Sequence, residues 1–178
     1  MTARARPVVI DASAATAYLL KEPRWPLIAG ALRAWSAQDR TIAVPAHFWL
    51  EVVNTLGRRP EWTGQRTIAA LHRLDLFGVQ TIELDRPLLL RSMDLVERHR
   101  LTSYDAAYLA AAESIDGDLA SLDRALLAAA GTRAIAFDDE HRINEAPATY
   151  EHDVTWPNYK EASAYLAHLR SEALAERG

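Results

Sequence analysis

Four acids, three of them near the start of an expected helix, carry the chemistry this 178-residue chain could perform. Asp11 closes the apolar run VVI of residues Val8 to Ile10, and Glu51 sits within PAHFWLEVVNTL. Asp105 follows Thr102 by three residues in LTSYDAAYLAAAE, and Asp123 ends the stretch DLASLD. Three of them have a local structural explanation. Asp11 and Asp123 can cap helices, and Thr102-x-x-Asp105 has capping-box spacing with Asp in place of Glu. Acids in a first turn also gain ~0.3–1 kcal/mol from the helix dipole. Glu51 resists that explanation, because a helix entered at Pro45 puts it about two turns in, between Leu50 and Val52. Together the four acids imply more. Carboxylates that converge in a partly dry cleft repel one another, and a hard divalent cation relieves the conflict. Mg2+ and Mn2+ prefer oxygen ligands, and Mg2+ binds through a few carboxylates together with substrate phosphate oxygens. Such an ion polarises a phosphoryl oxygen and generates hydroxide from bound water, which suits phosphoryl chemistry.

Convergence depends on the elements that carry the acids. Hydrophobic period alternates short β-like runs with longer amphipathic segments. Strands are expected at Val8–Ile10, Thr41–Val44, Val79–Leu84, Asp118–Ser121 and Thr132–Phe137. Helices are expected at Ser13–Leu20, Pro26–Ala37, and from Pro45 to about Gly57 with Phe48, Val52, Val53 and Leu56 on its apolar side. Further helices should span Glu61–Leu74, Pro87 to about Arg98 behind an Asp85 cap, Thr102 to about Ile115, and Asp123–Ala130. Strands that alternate with helices pair in parallel through crossovers, which gives a three-layer α/β/α sandwich with a mainly parallel central sheet of about five strands. Ligands bind such sheets outside the carboxyl ends of the strands, where Asp11, Asp105 and Asp123 fall. Residues 1–137 form this domain. The remainder, 138–178, reads as a C-terminal extension: a polar loop with the acid cluster DDE, then an amphipathic helix from Asn158 to Ala175 with Tyr159, Leu166, Leu169 and Leu174 on one side. That stripe must pack on its own domain or on a partner.

The net charge of −4 is unevenly spread. Residues 1–137 carry 16 Lys and Arg against 15 Asp and Glu, whereas residues 138–178 carry 4 against 9. An acidic chain is ordinarily a poor nucleic-acid binder. With the four acids masked by a cation, however, the first domain shows 16 positive against 11 negative charges, and its cleft can accept a polyanion. The absence of cysteine excludes disulfides, thiolate metal sites and cysteine nucleophiles. His47, His72, His99, His141, His152 and His168 lack the paired spacing of zinc ligands. No apolar run approaches the ~20 residues that span a bilayer. The basic start at Arg4 and Arg6 precedes too short an apolar stretch for a secretion signal, so a cytoplasmic protein without membrane contact is expected. Glycine-rich nucleotide loops and a G-x-S-x-G elbow are missing. A phosphatase of the haloacid-dehalogenase type needs a second acid two residues after the first, where Ser13 stands.

VVIDASA, the surroundings of Glu51, TSYDAAYLA around Asp105 and S-x-D-x-x-L around Asp123 agree in order, spacing and flanking residues with the PIN-domain ribonucleases. Over roughly Pro7 to Phe137 the chain most resembles the toxin subunits of bacterial VapBC toxin–antitoxin pairs. The resemblance implies that Asp11, Glu51, Asp105 and Asp123 form an acidic quartet holding Mg2+ or Mn2+, with the hydroxyls of Ser13 and Ser121 in support. It implies metal-assisted cleavage of single-stranded regions of structured RNA, a homodimer, and silencing by an antitoxin protein whose C-terminal segment lies in the active-site groove. The extension after Phe137 is longer than such toxins carry. In this reading Asp11, Asp105 and Asp123 hold the cation or cations, and Glu51 coordinates one or orients the attacking water. Asn54, one turn after Glu51, could touch the site or make a structural hydrogen bond. Arg58, Arg59, Arg66 and Arg73 could line the approach of phosphates or form a solvated face. Trp49 and Tyr108 could stack on bases or pack in the core. The alternative function is a catalytically silent PIN-like module that binds RNA or protein.

Overall fold

The computed structural model describes residues 5–137. Five strands form one parallel sheet: β1 (Val8–Ile10), β2 (Ile42–Pro45), β3 (Gln80–Ile82), β4 (Asp118–Ser121) and β5 (Ala134–Ala136), in the spatial order β3-β2-β1-β4-β5. Val8, Val9 and Ile10 are all buried, as a continuous β-branched run must be in a strand covered on both faces. Val9 pairs with Ala43 on one side and with Leu119 on the other, and Ile10 with Ala120. These pairings place the carboxyl ends of β1, β2 and β4 side by side.

Seven α-helices cover the sheet: α1 (Ala12–Leu19), α2 (Trp25–Ala37), α3 (Phe48–Gly57), α4 (Gly64–Asp75), α5 (Arg86–His99), α6 (Ser103–Ser114) and α7 (Arg124–Ala130). The chain winds from β1 out through β2 to β3, then returns past β1 to β4 and β5. Because such crossovers are right-handed, the two halves put their helices on opposite faces. The packing agrees: α1 lies against α2 and α3, and α3 against α4, while α6 packs on α5, α7 and the middle of the sheet. Ala106, Ala107, Ala110, Ala111 and Ala112 of α6 are all buried, and their small side chains let the helix lie close on β1, β2 and β4. Tyr108 and Leu109 are the large exceptions, each 2% exposed.

Three expectations about local structure are corrected. Pro45 does not open a helix; it ends β2, paired with Ile82, and a turn at Ala46 and His47 leads into α3. Proline is tolerated at a strand's end, where its missing N–H is least needed, and Ala46 donates to the Ile82 carbonyl in its place at 2.9 Å. Glu51 therefore lies in the first turn of α3, not two turns in. Val53 is 40% exposed, because the buried stripe is the narrow i, i+4 row Phe48, Val52, Leu56. Residues Gly131 to Arg133 form a 3-10 turn, so β5 starts later than expected.

At the amino ends of the strands, away from the acids, Arg40 donates to Asp118 at 2.5 Å, while Arg6 and Arg133 bridge to Asp116 at 3.1 and 2.9 Å. Gly117 sits beneath this cluster. A Cβ there would lie 3.0 Å from the Pro7 carbonyl oxygen, a tight approach, so glycine lets β4 start alongside β1 without a shift of either strand. No helix among the described residues is long and apolar enough to cross a membrane. The C-terminal extension, with His141, His152 and His168, lies outside the described residues.

Candidate active site

The strand order reverses between β1 and β4, and it is in the crevice outside the carboxyl ends of the strands at such a point that open parallel sheets bind ligands. Asp11 stands directly after β1, and Asp123 two residues after β4. Asp11 is only 4% exposed. Its Oδ1 caps α1 by accepting from the Ala14 N–H at 2.9 Å. The Ser13 hydroxyl lies 2.8 and 2.7 Å from its two oxygens, and Ser121 donates to Oδ2 at 2.6 Å. Both hydroxyls also accept from the loop after β4, Ser13 from Leu122 N–H at 3.0 Å and Ser121 from Asp123 N–H at 2.8 Å. The two serines thus tie the end of β1 to the segment that carries Asp123. All of these donors to Asp11 are neutral. Burial raises its pKa from 3.8 to about 6; the bonds from Ser121, Ala14 and Ser13 oppose the rise, and the negative charge of Asp123 adds to it. Asp123 itself caps α7, accepting from Leu126 N–H at 2.9 Å.

Glu51 stands on the other side, its side chain 34% exposed. The buried hydroxyl of Tyr108 donates to its Oε2 at 2.5 Å, and His47 Nε2 lies 3.6 Å from that same oxygen. The Tyr108 phenol is pushed well above its ordinary pKa, first by burial, then by its bond to Glu51 and the charges of Glu51 and Asp11. One hydroxyl thus feels both acids, which puts Glu51 and Asp11 in one neighbourhood. His47, 8% exposed, packs its ring against Tyr108 and Tyr104 with centroids 4.6 and 5.7 Å apart. Burial lowers its pKa, against the opposing pull of Glu51, the Tyr104 backbone and Asp105. Neither ring nitrogen makes a hydrogen bond within proper geometry among the described residues. Asp105 is half-buried in the first turn of α6, where the Thr102 hydroxyl donates to its Oδ2 at 2.7 Å and accepts from its N–H at 3.1 Å.

The structure thus joins Asp11, Ser13, Ser121 and Asp123 by direct hydrogen bonds, while Tyr108 bonds to Glu51 and feels the charge of Asp11, and His47 feels the charges of Glu51 and Asp105. As the side chains stand, no three acidic or imidazole groups among the described residues are drawn to metal-ligating spacing. Each acid is held by its own local donors, and like charges gain nothing by closer approach without a cation. The donor set nevertheless fits a hard divalent ion: oxygen ligands only, one of them a buried carboxylate with neutral donors.

The outlying candidates do not join the acids. Asn54, Arg58 and Arg59 are exposed, and Arg59 pairs with Glu22 at 3.2 Å. Arg66 lies over the Trp62 ring at 5.2 Å and donates to the Glu61 carbonyl at 2.7 Å, while Arg73 acts on the Tyr18 hydroxyl. Trp49 donates from Nε1 to Thr81 at 3.0 Å, and Tyr108 is too deeply buried to stack on a base. His47 was not singled out by the sequence. Its signal was the one-turn spacing to Glu51, which puts both on one helical face.

The sequence matches the PIN domain over residues 8–132. The chain belongs to the PIN domain family. By sequence, no curated protein matches this PIN domain. Among solved structures, it is similar to PAE2754 of Pyrobaculum aerophilum, at 24% identity and a TM-score of 0.54 over 76% of this chain and 88% of that one. It is also similar to VapC20 of Mycobacterium tuberculosis, described as a sarcin–ricin loop cleaving toxin, at 19% identity and 0.54 over 68% and 94%. A toxin–antitoxin complex from Klebsiella pneumoniae gives 19% identity and 0.57 over 74% and 98%. At these identities the likeness establishes the fold.

Proposed function

We propose that this PIN domain is a Mg2+- or Mn2+-dependent endoribonuclease, the toxin of a VapBC-type pair, with Asp11, Glu51, Asp105 and Asp123 as the ligands of the cation. The observation that carries the reading is Asp11, a carboxylate almost wholly buried at the switch point, repelled by Asp123 and bonded to neutral donors alone. Folding a carboxylate into such a place costs stability unless a cation repays it. When bound, the ion supplies polarisation of the phosphoryl oxygen and a water of lowered pKa. The chain's own residues orient the ligands. Ser13 and Ser121 aim Asp11, Thr102 holds one oxygen of Asp105, and the Leu126 N–H holds one oxygen of Asp123. Glu51, its side chain about one-third exposed, coordinates a cation or orients the attacking water.

Similarity to a toxin described as cleaving the sarcin–ricin loop supports structured RNA as substrate, and similarity to a toxin–antitoxin complex supports an antitoxin partner. A homodimer in the cytoplasm completes the proposal. The test is cleavage of structured RNA by the full chain in Mg2+ or Mn2+. Activity should vanish with chelator and fall at least ~100-fold in Asp11→Asn and Asp123→Asn with the fold intact. The wide spacing of the acids favours a second reading, a catalytically silent module. RNA or antitoxin binding without cleavage at saturating Mn2+ would decide for it.

A further inference from the structure

We propose that Tyr108 and His47 are positioning residues that set the orientation of the Glu51 carboxylate: together they hold one oxygen, Oε2, and leave the other free to meet a cation. This rests on the reading of Glu51 as a cation ligand. Tyr108 reaches Glu51 from α6 and His47 from the turn before α3, so elements from opposite faces of the sheet meet at one carboxylate oxygen. No hydrogen bond from a described residue reaches Oε1. A buried phenol must find an acceptor, and swinging the Glu51 carboxylate away, so that neither of its equivalent oxygens met the phenol, would leave the Tyr108 hydroxyl without this one. The core packing of Tyr108 therefore fixes the orientation of a partly exposed acid.

His47 adds a second constraint. It is more than nine-tenths buried, neither of its nitrogens makes a well-formed hydrogen bond among the described residues, and Nε2 faces Oε2 across 3.6 Å. That gap exceeds a hydrogen bond by ~0.5 Å. Closing it would give the ring a well-formed hydrogen bond, with neutral imidazole as donor, and would hold the same oxygen that Tyr108 holds. The ring cannot easily turn elsewhere, since Tyr104 and Tyr108 flank it. Outer partners that orient a ligand are worth ~10–100-fold in metal affinity.

The experiment titrates Mn2+ alone into the full-length chain, without RNA, and reads affinity by calorimetry and by the rise in Tm. Tyr108→Phe keeps the buried ring and should weaken Mn2+ binding ~10-fold. His47→Ala should weaken it by several-fold, with His47→Gln, which restores a donor, recovering most of the loss. In a Glu51→Gln background Tyr108→Phe should change affinity less than ~2-fold, because the group it positions is gone. A role confined to core packing would give equal losses in both backgrounds. That result, or wild-type affinity in Tyr108→Phe, overturns the proposal. Should Tyr108→Phe not fold, the three His47 forms decide by the same comparison. If wild type itself binds no Mn2+, the cation reading of the whole site fails and this inference with it, an outcome distinct from equal binding by wild type and variants.

Discussion

Replacing Asp11 with Asn separates the two jobs assigned to that residue, capping α1 and carrying charge for a cation. In the metal-free protein the carboxyl titrates near 6 instead of 3.8. The folded state thus holds the proton more tightly than the unfolded chain, so folding stability falls as pH rises through 3.8 to about 6, and the whole cost is present above that window. At ~1.4 kcal/mol per pH unit, that displacement amounts to ~3 kcal/mol at neutral pH. Asn removes the charge and keeps the cap, because its side-chain oxygen accepts from an N2 or N3 N–H as well as Asp does. Its amide can donate to Ser13 or Ser121, whose hydroxyls have acceptor capacity to spare. Metal-free Asp11→Asn should therefore be more stable than wild type by up to ~3 kcal/mol at pH 7.5. For a chain of this size that is ~6–12 °C in Tm. The gain should shrink towards zero near pH 4, where the wild-type carboxyl is itself protonated. Chemical denaturation of both proteins in chelator, from pH 4 to 8, isolates Asp11, since every other titrating group is common to both. A variant less stable than wild type by 1 kcal/mol or more at pH 7.5 would refute the reasoning, by showing that hydrogen bonds to the charged form outweigh its burial.

Ser121→Ala removes the 2.6 Å donor to Asp11 and the acceptor of the Asp123 N–H. It should cost ~1–3 kcal/mol in denaturant unfolding and move the Asp11 titration further upward, as followed by carboxyl NMR. Arg40→Ala should destabilise by ~2–4 kcal/mol, because it leaves the mostly buried Asp118 without its closest charge partner. The crevice lies at the other end of the sheet, so its RNA cleavage per folded molecule should match wild type. Saturating Mn2+ should raise the Tm of wild type but not that of Asp11→Asn, since only a form that binds in the folded state is stabilised by ligand.

Strand and helix order was legible because the hydrophobic period changes cleanly between elements, and buried runs such as VVI leave little choice. Asp11, Asp105 and Asp123 were placed correctly for a simple reason: a residue that follows a strand or opens a helix is fixed by local rules. Glu51 was misplaced by most of a turn, because Pro45 satisfies the signals of both a helix start and a strand end, and only its pairing with Ile82 chooses between them. What joins Glu51 and Asp105 to Asp11 was illegible. His47 and Tyr108 connect them through burial and side-chain direction, and neither leaves a mark in spacing alone. The separation of the acids could not be read either, since it depends on which local donor each carboxylate takes.

The bond from Ser121 to Asp11 spans 110 residues, and β1 gains its second neighbour only when β4 docks. A nascent chain emerging from the ribosome can fold α1 to α4 against β1 and β2 long before that wall arrives. Prematurely terminated fragments would carry Asp11, Glu51 and even Asp105, yet lack the closing edge that orients Asp11 and supplies Asp123. Residues 118–137, the last of the described chain, supply that edge, so an unfinished copy lacks both Asp123 and the bond from Ser121 to Asp11.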